Sequence, residues 1–545
     1  MRRSPVVDKT SRKRHPIPRI AEQARLISKP SKWRRALACG VLSVGCFSCI
    51  GQTEGAPASV ETGSALLDEA ETASAVDTLL LDQKTAPPGG TLGVRGVGYS
   101  PGENVDVQLD GIVLSSSIAS TGGSWSASLA IPRATSIGNH VVSALGHAPL
   151  TEQYASFVVR TNWTQDAFDV AGSGYNPFEW RLTPARIGGL SPLWSALKLR
   201  RAYHVGDVHQ GQPVVASGRV YVAGADGGVH AFRFSDGSHR WQRYIEGAPY
   251  KSMAAGFGQV FVGGRGLTAL DARTGEVAWT GSETAGKTVG PLTLAYGKIF
   301  VPVQDFQIFS TQVYDAAGCG QGVCAPLWSL PSWTAYRAAA ADGLIISGGF
   351  GGAVNAYDGH GCGQSNCSPV WSASIQRGGT IAQLLTGVAV EGQRLFVSSH
   401  GTADEPPGVV YARDTHTGAL LWRPATDGEH PANPAVADGV VHLTTFSGHI
   451  YALDAATGAI QWSAALPNRP FLSDPSVAGG LVYTMSSLGP LYAFEVGCGT
   501  DGATCEPKRT MQVAQWIGAT SPPSIVDGQL FAADQQTVFA FGLPE

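Results

Sequence analysis

The sequence predicts an all-β protein in which a small β-sandwich precedes an eight-bladed β-propeller. The propeller is predicted by a unit that occurs eight times, in which an apolar stretch, a two-residue turn ending in Gly and two further apolar stretches follow one another. The turn glycines are Gly218, Gly258, Gly297, Gly343, Gly392, Gly439, Gly480 and Gly528. Because one such unit cannot bury its own apolar faces, repetition at about 40–50 residues indicates a radial or stacked β-architecture.

Residues 434–462 form the clearest unit. Asp438-Gly439 connects two apolar stretches and is a favoured two-residue hairpin turn. In the later turn 454–458, the side chain of Asp454 can accept hydrogen bonds from backbone N–H groups, and Gly458 can adopt a positive φ. The last strand of the unit ends at Trp462. We therefore predict four short antiparallel strands per blade.

Six units end their fourth strand with a tryptophan, which we expect to fill the wedge between neighbouring blades. These residues are Trp241, Trp279, Trp328, Trp371, Trp422 and Trp462. The seventh unit has only Met511 nearby, so we expect a weaker contact there. The eighth unit lacks a fourth strand, whereas residues 192–195 carry the fourth-strand pattern upstream of the first unit. We predict that this upstream segment completes the eighth blade and closes the ring.

Three segments resemble the repeat of the pyrroloquinoline-quinone-type eight-bladed propellers: 267–279 (LTALDARTGEVAW), 410–422 (VYARDTHTGALLW) and 451–462 (YALDAATGAIQW). The lead-in residues 163–165, 174–176 and 193–194 are similar to the start of that family too. The resemblance covers residues 163–545 and implies the propeller fold. It does not imply one activity, since the family includes calcium- and quinone-dependent alcohol dehydrogenases and an outer-membrane assembly lipoprotein.

The N-terminal residues indicate export. The first 35 residues contain 12 Lys and Arg against two acidic residues, so the remainder carries a formal charge of about −14 and does not suit nucleic acid. We interpret residues 1–50 as a basic leader and signal peptide and 51–77 as a flexible linker. Cleavage before Cys46 or Cys49 would give an outer-membrane lipoprotein. Cleavage after Ala58 would give a secreted or periplasmic protein, and both alternatives stay open.

Residues 78–160 have the period of two and the turn spacing of a small sandwich, with strands predicted at 105–111, 124–129 and 140–144. Segments 87–91 and 98–103 resemble bacterial immunoglobulin-like modules of surface proteins. The resemblance implies a spacer or an adhesive unit. The propeller is predicted for residues 163–545.

The six remaining cysteines fall into three local pairs, each in place of the turn between a third and a fourth strand. We predict the disulfides Cys319–Cys324, Cys362–Cys367 and Cys498–Cys505, because each pair can meet across a hairpin and an exported compartment would oxidise it. Structural zinc is the alternative, although it would need two pairs from different blades. We expect these disulfides to pin their own loops more than they hold the ring.

A ligand site is predicted at the channel mouth, where the first strands begin. The candidate residues are His209, Tyr250, Lys251, Lys287, Arg337, Asn433 and Asp474. Such a ring could hold an anionic or sugar-like ligand, or it could be a solvated rim. The loop 398–408 and the cluster of His204, Asp207 and His209 contain metal-capable side chains, but their spacing matches no recognised metal site. We predict no metal site.

Two functions follow. The first is a monomeric, non-catalytic scaffold that binds an envelope or extracellular protein or glycan, with no cofactor, no nucleic acid and no membrane contact beyond a lipid anchor. The second is a quinone-dependent oxidoreductase with pyrroloquinoline quinone and calcium at the channel mouth. In the family that this sequence resembles, the dehydrogenases cover the quinone with two adjacent cysteines. This sequence contains no Cys-Cys pair.

Overall fold

The chain divides into two units, residues 1–64 and 65–545. The computed structural model describes residues of the second unit only. The described ranges are 79–147, 150–197, 211–224, 227–245, 252–305, 308–331, 337–349, 352–374, 385–399, 409–423, 432–468, 470–513, 521–534 and 537–544. The predicted leader and linker therefore lie outside the described residues. Within the described ranges the fold is all-β, with two short 3₁₀ helices at Ile187–Gly189 and Ser282–Thr284.

Eight strands form two sheets before residue 160, around a core of their own. They are β1 (Leu80–Leu81), β2 (Thr85–Ala86), β3 (Thr91–Val97), β4 (Asn104–Leu109), β5 (Ile112–Ile118), β6 (Ser124–Ala130), β7 (Gly138–Gly146) and β8 (Glu152–Val159). The sheet orders are β1-β3-β6 and β2-β8-β7-β4-β5. Buried side chains from both sheets, such as Val94, Trp125 and Phe157, fill the space between them. The three predicted strands of this region are present, while its likeness to immunoglobulin modules stays a prediction.

The described residues after 160 form eight further sheets, called blades 1 to 8. The short strand β9 (Tyr175–Asn176) and β10 (Ser191–Leu197) precede blade 1 in the chain. Blade 1 contains β11 (Val214–Ala216), β12 (Arg219–Ala223), β13 (Gly228–Arg233) and β14 (His239–Tyr244), and blade 2 contains β15 (Met253–Gly256), β16 (Gln259–Gly264), β17 (Gly266–Asp271) and β18 (Val277–Gly281). Blade 3 contains β19 (Thr288–Val289), β20 (Thr293–Ala295), β21 (Lys298–Asp305), β22 (Ile308–Asp315) and, after the added strand β23 (Val323–Cys324), β24 (Trp328–Leu330), and blade 4 contains β25 (Ala339–Ala341), β26 (Leu344–Gly348), β27 (Ala353–Asp358) and β28 (Trp371–Ser374).

Blades 5 to 8 follow the same order. Blade 5 contains β29 (Leu385–Glu391), β30 (Arg394–Ser399), β31 (Val409–Asp414) and β32 (Leu420–Trp422), and blade 6 contains β33 (Ala435–Ala437), β34 (Val440–Thr444), β35 (His449–Asp454) and β36 (Ile460–Ala465). Blade 7 contains β37 (Ser476–Ala478), β38 (Leu481–Met485), β39 (Pro490–Glu495) and, after the added strand β40 (Ala503–Thr504), β41 (Arg509–Gln512). Blade 8 contains β42 (Ser524–Val526), β43 (Gln529–Ala533) and β44 (Thr537–Gly542). Strands within a blade pair antiparallel.

The blades form a closed ring. Inner strands of successive blades contact each other, and β42 of blade 8 contacts both β37 of blade 7 and β11 of blade 1. Between blades 3 and 4 the hydroxyl of Thr293 donates to the carbonyl of Ala338 at 3.0 Å. Each apolar core cluster combines residues of neighbouring blades. The predicted β-propeller is confirmed, and these sheets are compatible with eight blades.

The fourth strand of blade 8 comes from upstream, as predicted. Strand β10 pairs antiparallel with β44, with Ser195 opposite Phe539. The indole N–H of Trp194 in β10 donates to the carbonyl of Phe234 in blade 1 at 3.1 Å. The two ends of the propeller thus complete one sheet, which removes an open edge between the last and the first blade.

The predicted wedge tryptophans lie between blades and contact the turn of the next one. Trp422 of blade 5 donates its indole N–H to the carbonyl of Ala455 in blade 6 at 3.0 Å. A Cβ built on Gly458 in that turn would lie 2.6 Å from the Trp422 ring. The turn adopts its predicted form, because Oδ1 of Asp454 accepts from the backbone N–H groups of Ala456 and Thr457. Glycine at position 458 is required because the Trp422 indole ring leaves no room for a Cβ and because its φ is 75°.

Candidate functional site

Residues 163–176, called the strap, cross the inside of the ring before the first blade begins. The strap forms hydrogen bonds with the inner strand of every blade, in the order of blades 1 to 8. The bonds join Trp163 to Val215, Thr164 to Ala255, Gln165 to Leu294, Val170 to Ala340, Ala171 to Val390, Ser173 to Val436, Gly174 to Val477 and Asn176 to Ile525, at 2.6–2.9 Å. The strap therefore occupies the channel end where the turns between first and second strands lie.

The middle of the strap folds into a tight turn. Ala167 and Phe168 have φ angles of 55° and 75°, which are strained values for residues with a Cβ. The turn is held by an edge-to-face contact of the Trp163 and Phe168 rings, whose centroids are 5.1 Å apart. The backbone N–H of Ala167 also donates to Oε1 of Gln212 at 2.8 Å. This turn carries two partly buried carboxylates of the strap, Asp166 and Asp169.

Both strap carboxylates have raised pKa values because the ring takes them out of water. Burial raises the pKa of Asp166 to about 7, the nearby charge of Asp474 adds to the rise, and the charge of Arg337 opposes it. Burial also raises the pKa of Asp169, against hydrogen bonds from the backbone N–H and hydroxyl of Ser173 and the attraction of Arg337. Asp166 therefore exchanges its proton near neutral pH.

Arg337 is the positive charge that faces these carboxylates. It was predicted as a ligand-binding residue at the channel mouth, and it is only 6% exposed. One terminal guanidinium nitrogen donates to the carbonyls of Gly172 in the strap and Val388 in blade 5, each at 3.3 Å. Its Nε has no hydrogen-bond partner among the residues that the structure describes. The contacts of Arg337 thus join the strap and two neighbouring blades.

Asn433 and Asp474, also predicted as site residues, bind each other. The backbone N–H of Asn433 donates to Oδ1 of Asp474 at 3.0 Å, and the side-chain amide donates to Oδ2 at 2.6 Å. These bonds join the first strands of blades 6 and 7. Gln212 connects blades 1 and 8 similarly, since its amide donates to the carbonyl of Pro523 at 2.9 Å.

The other predicted residues are not brought to this cluster by any described contact. Nζ of Lys287 lies 3.9 Å from Oδ2 of Asp305 in its own blade. His209, Tyr250 and Lys251 lie outside the described residues, and so do His204, Asp207 and residues 400–408 of the candidate loop. Whether these side chains form a ligand ring stays a prediction.

The repeat pattern of the sequence does not predict Asp166, Asp169 and Gln212 as channel residues. Their local sequence carries no repeat, because the strap belongs to no blade. One available signal was the set of lead-in residues around Trp163 and Tyr175, which marks a segment with a fixed path through the ring. That signal predicts the path of the strap through the ring, but it does not predict which charged side chains the strap brings close to those of the blades.

The predicted cystines are present in the described residues. Cys319–Cys324, Cys362–Cys367 and Cys498–Cys505 are disulfide-bonded, with Cα atoms 5.7, 5.6 and 6.1 Å apart. Each lies between the third and fourth strands of its blade. Elsewhere in the described ranges, no group of three or more His, Cys, Asp or Glu side chains is arranged to hold a metal ion. No described helix is long and apolar enough to cross a membrane.

The geometry is that of a β-propeller built from quinoprotein-type repeats. The chain belongs to the family described as outer membrane protein assembly factor BamB, which matches residues 180–317 and 351–544, more than half of the sequence. No curated protein matches the chain.

Solved structures share the fold at low sequence identity. Quinohemoprotein alcohol dehydrogenase ADHIIG from Pseudomonas putida HK5 is 16% identical with a TM-score of 0.53, covering 70% of this chain and 80% of its own. Quinohemoprotein alcohol dehydrogenase from Comamonas testosteroni is 14% identical with a TM-score of 0.51, covering 70% and 82%. BamB from Moraxella catarrhalis is 16% identical with a TM-score of 0.49, covering 65% and 99%. At these identities the similarity concerns the fold alone.

Proposed function

We propose that this protein is an exported scaffold that binds a protein or glycan of the cell envelope through the faces of its propeller. The observation that carries the proposal is the strap, because it occupies one end of the channel and engages the inner strands of all the blades. Polar groups that serve the ring's own structure are less free to bind a substrate. The family description, an outer-membrane protein assembly factor, supports a binding function of this kind.

The described channel residues do not fit a calcium and quinone site. Both carboxylate oxygens of Asp474 accept hydrogen bonds from Asn433, and both oxygens of Asp169 accept from Ser173. In the described residues, no group of three or more His, Cys, Asp or Glu side chains is arranged to hold a metal ion. The sequence offers no adjacent cysteine pair to cover a quinone. Dehydrogenase activity is the outcome that would replace this proposal.

An apolar cluster on the propeller face opposite the strap is the surface we assign to the partner. Phe446 and Phe471 pack edge to face, with their ring centroids 5.7 Å apart. Phe446 lies in the loop between β34 and β35 of blade 6, and Phe471 lies in the loop that connects blade 6 to blade 7. Phe471 is 59% exposed, and nearby Leu488 is 39% exposed. Exposed aromatic side chains are enriched at protein interfaces, and their faces also suit sugar rings.

The experiment compares two surface variants of the full exported chain. Phe471→Ser combined with Leu488→Ser should reduce capture of its partner from envelope extracts at least about tenfold, since two exposed anchors of the contact are lost. Phe257→Ser is the matched control, because Phe257 is also 59% exposed but lies in a turn at the strap end. Treating the extract with protease or with periodate distinguishes a protein from a glycan partner. Equal capture by both variants would contradict the assigned surface.

A second measurement tests the absence of a cofactor. The purified protein is titrated with pyrroloquinoline quinone and calcium while its absorbance spectrum is followed. We expect no stoichiometric uptake and no dye-linked oxidation of alcohols. Tight uptake of one quinone per chain with alcohol-dependent dye reduction would establish the dehydrogenase in place of the scaffold.

A further inference from the structure

Each cystine loop pairs with the blade that precedes its own. Strand β23, in the Cys319–Cys324 loop of blade 3, lies parallel to the outer strand β18 of blade 2. Strand β40, in the Cys498–Cys505 loop of blade 7, lies parallel to the outer strand β36 of blade 6. Asn366, in the Cys362–Cys367 loop of blade 4, forms a parallel bridge with Ser329 of blade 3. The expectation that these disulfides mainly pin their own loops is therefore incomplete.

The added backbone bonds recur at one position in all three cases, the residue after the wedge tryptophan. The N–H of Thr280 donates to Gly322 at 3.0 Å, the N–H of Ser329 donates to Ser365 at 2.8 Å, and the N–H of Cys505 donates to the carbonyl of Ser463 at 2.9 Å. An outer strand presents unpaired N–H and C=O groups to solvent, and these loops satisfy some of them. The repetition indicates a specific contact.

The second cysteine of each pair anchors its loop in the apolar joint between two blades. Cys324, Cys367 and Cys505 are 3%, 1% and 3% exposed. They belong to the core clusters that also contain the wedge tryptophans of blades 2, 3 and 6. The first cysteines, Cys319 and Cys362, are exposed. The loops of blades 3 and 4 thus begin at the surface of one blade and end inside the joint with its neighbour, whereas Cys498 in the loop of blade 7 is already partly buried.

Blades with the ordinary turn lack this pairing. The turns at 271–275, 414–418 and 454–458 are closed by the Asp side chain that begins them. Among the described residues, no strand from these turns is added to the blades before them, which are blades 1, 4 and 5. The longer cystine loop, and not the fold in general, supplies the additional strand.

We propose that the three cystine loops are inter-blade clips that close the outer edges of blades 2, 3 and 6 and that open when their disulfides are reduced. In that step a dithiol reductant supplies two electrons and two protons. The Sγ–Sγ bond breaks, two thiols form on the protein, and the reductant becomes a disulfide. Without the cross-link the loop gains conformational freedom, so the two or three bonds to the neighbouring strand no longer hold it.

Hydrogen exchange of the full chain tests the clips one at a time. In the variant Cys319→Ala with Cys324→Ala, the amide of Thr280 in blade 2 should exchange at least about tenfold faster, because its acceptor Gly322 is released. The amides of Gln242 and Ser372, which follow the wedge tryptophans of blades 1 and 4, serve as internal controls and should not change. Acceleration confined to residues 318–325 would overturn the proposal, since the disulfide would then pin only its own hairpin.

The second clip provides a matched control. In the variant Cys362→Ala with Cys367→Ala, the faster amide should be Ser329 in blade 3, while Thr280 keeps its wild-type rate. Should an alanine pair unfold the ring, the wild-type protein is reduced with dithiothreitol at a concentration that leaves its tryptophan fluorescence unchanged. Thr280 and Ser329 should then both accelerate over the oxidised protein. Unchanged rates for both in the folded, reduced protein would contradict the clips.

Discussion

At the scale of the residue, the channel shows how charges serve the structure that encloses them. Asp166 enters the ring on the strap, where Arg337 and Asp474 act on it in opposite directions. Arg337 in turn reaches the carbonyl of Gly172 in the strap. Removing one member of such a set leaves a buried charge without compensation, which is usually more destabilising than the loss of the pair. We therefore expect substitutions here to affect stability first.

The pH dependence of stability tests the position of Asp166. The pKa of its carboxyl is about 7 in the folded protein, above the 3.8 of an aspartate that is exposed to water. Between these values the folded state holds a proton that the unfolded chain has released, so the free energy of unfolding falls as pH rises through this window. Asp166→Asn removes this contribution. From pH 5 to pH 8 the wild type should lose at least about 1 kcal/mol more than the variant in urea unfolding.

A second carboxyl provides the control for that experiment. Burial raises the pKa of Asp527 to about 7 in a turn of blade 8, where its Oδ1 accepts from the backbone N–H of Thr161. Asp527→Asn should remove its own share of the pH dependence, and the two effects should add. Parallel stability profiles for the wild type and Asp166→Asn would contradict the raised pKa of the Asp166 carboxyl in the folded protein.

At the scale of the element, the repeat couples a turn to the tryptophan of the preceding blade. Trp241 donates to the carbonyl of Ala272, and Trp371 donates to that of Thr415, each at 3.0 Å. The glycine of each turn lies beneath the ring, so the turn and the tryptophan are one interlocking unit. Blade 7 has no tryptophan at this position, and its partly buried Met511 packs against the core cluster that contains residues of blades 7, 8 and 1. The weaker contact expected there stays a prediction.

Two glycines of blade 6 separate backbone strain from this packing. Gly458 and Gly439 have φ angles of 75° and 79°, but only at Gly458 would a Cβ meet the Trp422 ring. Gly439→Ala should cost about 1–2 kcal/mol from the left-handed conformation alone. Gly458→Ala should cost about 1–3 kcal/mol more, because the Trp422 indole ring must move. Equal losses in urea unfolding would mean that the joint accommodates the methyl group freely.

At the scale of the whole molecule, the segment before the first blade contributes to the ring at two places. Its strap contacts the inner strands, and its strand β10 supplies the outer strand of blade 8. The inside and the outside of the propeller are thus tied by residues that precede the first blade. Such a ring gains cooperativity from closure, because opening any joint breaks contacts of the strap with several blades.

Deletion of residues 163–199 tests this closure. The shortened chain should lose the single cooperative melting transition or melt more than about 5 °C below the parent, since strap contacts and the closing strand are removed together. A chain that starts at residue 79 keeps every described contact and should melt with the parent. A deletion variant that melts within about 1 °C of the parent would refute the role of the segment in closing the ring.

The sequence was sufficient for features that repeat or that lie close together in the chain. The glycine turns, the Asp turn at 454–458, the wedge tryptophans and the three cystines follow from local conformational preferences and from one period. Even the pairing of β10 with β44 was predictable, because a missing fourth strand at one end matched a surplus one at the other. Of the candidate site, the sequence identified Arg337, Asn433 and Asp474 as polar strand starts, without their partners.

Only the tertiary structure decided what those side chains contact. The strap meets Ile525 across 349 residues of sequence, and the clip residues meet a strand of the preceding blade. No local preference encodes such contacts, because they depend on which backbone groups remain unpaired once the blades are packed. Burial then sets the charges, since Asp166 acquires its raised pKa only inside the closed ring. The periodic sequence determined the blades, and the packing of its non-periodic segments against them determined the channel and the clips.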